Sequence, residues 1–112
     1  MYNCNKIVAI TQTTIQPDDG ELLKLEYYLC RLIGSEGEAL YGLRVDKRHT
    51  DGRLIEREET PALTGSLEDA MAMAEVFAKG TVPPSVLLEM VDEWYSTFFT
   101  SNLVSSVHAT GE

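Results

Sequence analysis

The chain holds 112 residues, 44% of them apolar, and sets 18 acidic side chains against 9 basic ones for a formal net charge of −9. The apolar share excludes a disordered chain, 8 Gly and 4 Pro exclude a collagen-like repeat, and the length is that of one ordinary domain. A negative charge of this size repels phosphate backbones and anionic lipid, so direct binding to nucleic acid or to a membrane surface is not expected.

Residues 5–15 (NKIVAITQTTI) are rich in β-branched types and predict a first strand. A second follows at 24–33 (KLEYYLCRLI), where two tyrosines stand among aliphatics, and Gly34-Ser35-Glu36-Gly37-Glu38 reads as a loop. In 39–48 (ALYGLRVDKR), Tyr41, Leu43 and Val45 alternate with Gly42, Arg44 and Asp46, which turns one face inward and the other to water. Asp51-Gly52 offers residues that a tight hairpin takes at positive φ. Beyond it, 53–59 (RLIEREE) reads as a fourth strand whose charge suits a sheet edge.

The second half predicts two helices. Ser66, with Asp69 three residues on, starts the first, and Gly80 stops it. Leu67, Ala70, Met71, Ala74 and Phe77 form its apolar stripe. Pro83 and Pro84 break the chain and open a second helix, whose stripe is Leu87, Met90, Val91, Trp94 and Phe98. Residues 101–112 lack a cap and bulk and are expected as a flexible tail or a short added strand beyond a single domain over 1–100. Strands followed by helices argue an α+β fold: a four-stranded antiparallel meander covered on one face by a two-helix hairpin.

Catalytic signatures are sparse. There is no GxxxxGK[ST] and no GxGxxG, and Glu36 and Glu38 would repel a phosphate from the glycines around them. His49 and His108 do not combine with Cys4 and Cys30 at metal-ligand spacing, and Cys30 inside an apolar strand reads as a small hydrophobe rather than a nucleophile. No basic segment followed by an apolar run opens the chain, and no stretch reaches the length of a membrane span. The expectation is therefore a cytoplasmic protein with no catalytic residues, no cofactor and no metal.

Carboxylates are the candidate contacts. Glu89, Asp92 and Glu93 stand at i, i+3 and i+4 on one exposed helix face, and Glu56, Glu58 and Glu59 crowd the last strand. Charge is also uneven: residues 1–59 hold 11 acids and 8 bases, whereas 60–112 hold 7 acids and only Lys79. Arg44, Lys47, Arg48, Arg53 and Arg57 interleave with Asp46, Asp51, Glu56 and Glu58 in the last hairpin, a mixture that predicts cross-strand ion pairs rather than a basic patch. Trp94 and Phe98 share one helix face while Tyr95 and Phe99 project about 100° round from them, so either the sheet wraps to bury both pairs, the tail folds back, or one pair meets another subunit or partner.

The YGLRV strand (Tyr41 to Val45), the Glu56 to Glu59 segment, the helix opened by Ser66 and the VPPSVLLEMVDEW stretch (Val82 to Trp94) resemble a family of small uncharacterised proteins from clostridia and related Firmicutes. The resemblance spans roughly residues 24–95 and implies a Gram-positive or mobile-element origin, with no activity to transfer. Charge and size then suggest a non-catalytic acidic module that binds a basic protein surface. Inhibitors carried by phage and mobile elements, anti-CRISPR proteins among them, work in this way on a CRISPR effector or other nuclease, with carboxylates standing in for phosphates. The contacts would be Glu56, Glu58, Glu59, Glu89, Asp92 and Glu93. The alternative is a homodimeric structural or regulatory module of a Firmicutes host, joined through Trp94, Tyr95, Phe98 and Phe99.

Overall fold

The computed structural model of the chain describes residues 6–16 and 20–96. Strands β1 (Lys6–Ile15), β2 (Leu23–Ile33), β3 (Ala39–His49) and β4 (Leu54–Glu59) form one antiparallel sheet in the order β1-β2-β3-β4. Helix α1 (Leu67–Lys79), a 3-10 turn (Pro84–Val86) and a second helix, α2, over residues 87–96 follow and pack against it. This is the α+β meander with a two-helix cover that the order of apolar patterns predicts. The expected tail, 101–112, lies outside the described residues, as do Phe98 and Phe99.

Alternation along β2 decides which face the helices cover. Leu23, Leu25, Tyr27 and Leu29 are buried, and the register sets Tyr27 opposite Val45 and Leu29 opposite Leu43 on β3. Ala70, Met73, Ala74 and Phe77 of α1, then Leu87 and Val91 of α2, close the same core. The buried arc of α1 is therefore turned from the predicted stripe: Met73 faces inward, Met71 is half-buried and Leu67 stays 47% exposed. Ala70 and Ala74 sit at the centre of the contact, where small side chains let the helix backbone approach the sheet.

Local signals explain the ends. The Ser66 hydroxyl accepts from the Asp69 amide at 3.2 Å, and Glu68, Asp69 and Lys79 complement the helix dipole. At the other end Gly80 donates to Val76 with an ordinary φ of −84°, and the left-handed residue is Thr81 at φ 50°. The stop therefore differs from the one expected of Gly80. In the β3–β4 turn Gly52 alone has positive φ, +98°, and its amide donates to the His49 carbonyl. Asp51 instead accepts from the Arg53 amide, so the hairpin is longer than a two-residue turn.

Beyond β4 the chain keeps pairing with β3. The Thr60 amide donates to Leu43, Leu63 donates to Tyr41, and Tyr41 donates to Thr64. Gly42 permits this course, because a Cβ there would stand 2.7 Å from the Pro61 carbonyl oxygen and 2.8 Å from the Thr60 hydroxyl.

Candidate functional site

The sheet face turned away from the helices carries the densest polar cluster among the described residues. Every second residue of β3 points there, so Arg44, Asp46 and Arg48 stand in a row. The register brings Tyr28 and Glu26 in from β2 and Arg57 from β4. Asp46 is fully buried beneath three guanidinium groups. Arg57 donates to both its oxygens, at 2.8 and 3.0 Å, Arg48 donates at 3.0 Å and Arg44 through Nη2 at 3.3 Å. The Nε of Arg44 lies 3.3 Å from Asp46 Oδ1 yet is misaligned for a hydrogen bond. Its guanidinium instead covers the Tyr28 ring, 4.4 Å from the centroid.

Burial alone would raise the Asp46 pKa, but the hydrogen bond from Arg57, the charges of Arg44 and Arg57 and the bond from Arg48 together hold it below the usual carboxylate range. A carboxylate so held is a weak base, fitted to pin β4 to β3 rather than to move protons. Glu26 completes the cluster by accepting from Arg48 Nε and from the Tyr28 hydroxyl, both at 2.8 Å. Burial, followed by the bond to Glu26 and the charges of Glu26 and Asp46, raises the Tyr28 pKa against the opposing Arg44 bond. The Arg57–Asp46 pairing is a cross-strand ion pair of the kind predicted for this hairpin. Asp46 as its hub was missed, although charged residues at 44, 46 and 48 on one strand are the signal that could have found it.

The six predicted carboxylates fall into two groups. Glu89, Asp92 and Glu93 are exposed on α2. On β4, strand alternation separates the other three: Glu56 and Glu58 are half-exposed on the helical side, opposite Lys47 and Val45, while Glu59 stands opposite Arg44 in the register, on the face turned away from the helices. Glu56, Glu58, Glu89, Asp92 and Glu93 make no salt bridge with a described residue. Glu68, Asp69 and Glu75 are exposed on α1. Three of the cations, Arg44, Arg48 and Arg57, are spent on Asp46 and Glu26 on the opposite face, while Lys47, Arg31 and Lys79 lie on the helical side.

Trp94 and Tyr95 are half-buried and lean on the core, Trp94 edge-on to Phe77 with centroids 6.3 Å apart and planes at 83°. Beside them a shallow groove of about 190 Å³ is lined by Val76, Phe77, Met90, Glu93 and Trp94. A second depression, about 200 Å³, lies over the β1 bulge between Ala9, Ile10, Thr11, Gln12, Glu26 and Tyr28. Deeper in, burial pushes the Tyr27 hydroxyl up to about 12 while it donates to the Val82 carbonyl at 2.9 Å. Among the described residues no group of three His, Cys, Asp or Glu converges as a metal site, and no helix is long and apolar enough to cross a membrane.

No curated protein and no solved structure matches the chain. Residues 6–97 match the model of a family of unknown function, a span that takes in all four strands, both helices and the Asp46 cluster. The chain belongs to that family, DUF6514.

Proposed function

We propose that the protein is a non-catalytic binding module that docks the carboxylates of its helical side on a basic protein surface. The observation that carries this reading is the segregation of charge. From residue 60 to residue 96 the chain has six acids and one base, the acids are exposed, and Arg44, Arg48 and Arg57 are tied to Asp46 and Glu26 across the sheet. Exposed, unpaired carboxylates on a packed layer steer encounter with a positive partner and can occupy a channel built for phosphates. The partner class that fits is a nucleic-acid-handling protein such as a nuclease. The clostridial or mobile-element setting implied by the sequence resemblance makes an inhibitor of the anti-CRISPR kind the specific form of the proposal, acting in the cytoplasm.

The test is capture of bacterial lysate proteins on the immobilised chain over a salt series, side by side with the Glu89→Lys, Asp92→Lys, Glu93→Lys triple variant. The expected result is a set of basic proteins retained at low salt, released as screening rises, and lost from the triple variant. Retention by a folded triple variant equal to that of the parent would overturn the proposed surface.

A further inference from the structure

The helical side that carries the acids also leaves apolar surface in water. Between α1 and α2 the groove of about 190 Å³ has a floor of Val76, Phe77, Met90 and Trp94, and Glu93 is the charged residue in its lining. Val76 is 49% exposed, and Met90 and Trp94 are half-buried. Carboxylates flank this floor on both helices. Glu89 stands one turn before Glu93 on α2, and Glu75 is the neighbour of Val76 on α1, all three exposed. Among the described residues of the two helices the one cation is Lys79, a turn beyond Val76. Pockets for small molecules are concave and hold roughly 300–1,000 Å³. This groove is shallower and smaller, a size that suits a side chain rather than a whole ligand.

We infer that the groove seats an apolar side chain of a basic partner, presented on an amphipathic helix whose flanking Lys or Arg residues meet Glu89 and Glu93. The inference rests on the reading of the helical side as a surface for basic proteins, and adds to it the shape of the element that is bound. Charge complementarity selects this occupant. An acidic segment, or a second copy of a chain at −9, would bring carboxylates against Glu75, Glu89 and Glu93. A purely polar cationic surface would satisfy the carboxylates and leave the floor in water, whereas an apolar anchor between cations satisfies both. Helices laid in grooves are held in this way, by apolar anchors at helical spacing. The unbranched thioether of Met90 lets the floor adapt to anchors of different shape.

Trp94 is the single tryptophan of the chain and lines the groove, so its fluorescence reports what enters. The probes are two synthetic peptides of leucine and lysine in identical composition. One sets its leucines at i, i+3, i+4 and i+7 along a helix, and in the other the same residues are shuffled so that no face is apolar. Titrated into the intact chain at low salt, the amphipathic peptide is expected to shift the Trp94 emission and to bind about tenfold or more tighter than the shuffled one. Val76→Glu adds negative charge beside the floor without disturbing the core, since Val76 is half in water. It should nevertheless weaken the amphipathic peptide by about tenfold while the shuffled peptide binds as before or tighter, a loss that charge alone cannot produce. Equal binding of the two peptides, an emission that neither moves although both bind, or a Val76→Glu variant that binds the amphipathic peptide as the parent does would overturn the groove and leave the basic-partner reading standing. Failure of both peptides to bind at low salt would overturn that reading and this inference together.

Discussion

Asp46 has the largest expected effect of any single residue in the fold. Its carboxylate holds arginines from two strands, and removing the charge leaves three guanidinium groups facing one another. Breaking a fully buried pair costs about 3–5 kcal/mol, but these arginines are partly exposed and can regain water. Asp46→Asn is therefore expected to destabilise by about 2–3 kcal/mol, measured by urea unfolding near neutral pH. The pH dependence has a definite sign. Because the folded pKa is lowered, the stability Asp46 contributes is present above its unfolded pKa and is lost as pH falls through the folded one. The gap between parent and variant should thus be constant near neutrality and shrink in acid. A gap that persists unchanged in acid would show that the loss comes from shape and not from charge.

The elements were legible in the sequence wherever a local rule acts alone. Each strand ends within about two residues of its predicted place, because alternation, Gly-bearing turns and the Ser66 cap report on neighbours a few positions away. What stayed hidden depends on distant partners. Met73 replaces Leu67 on the buried arc because the sheet selects the helix face with alanines at its centre, and the separation of Glu59 from Glu56 and Glu58 follows from the β3 register. The bulge in β1 left no glycine to mark it. Thr81 is the clearest departure from a local rule, since a β-branched residue at φ 50° occupies the left-handed position that follows many helices. Its hydroxyl donates to the Gly80 carbonyl, which offsets part of the strain. Thr81→Gly should relieve about 1–2 kcal/mol of left-handed strain and return part of it as backbone entropy and the lost bond, for a net gain of about 0.5–1 kcal/mol. A lower urea midpoint in this variant would mean that the hydroxyl contact outweighs the backbone.

At the scale of the whole molecule the charge pattern sets stability against binding. Glu89 lies three and four residues before Asp92 and Glu93, so α2 carries two like-charge pairs at helical spacing, in a chain that is already at −9. Repulsion of this kind favours the unfolded chain, and nothing described around these carboxylates compensates for it. Asp92→Asn with Glu93→Gln keeps the shape of both side chains and leaves Glu89 in the first turn of α2, where the helix dipole favours it. The double variant is therefore expected to melt higher than the parent at low salt, gaining about 0.2–0.5 kcal/mol per relieved pair, with the difference vanishing at high salt. If it also loses the basic proteins the parent retains, the two carboxylates cost the fold stability and return it as affinity, as a binding surface requires. If it instead melts lower at every salt concentration, these groups make favourable contacts in the folded chain, and their exposure on α2 serves the fold.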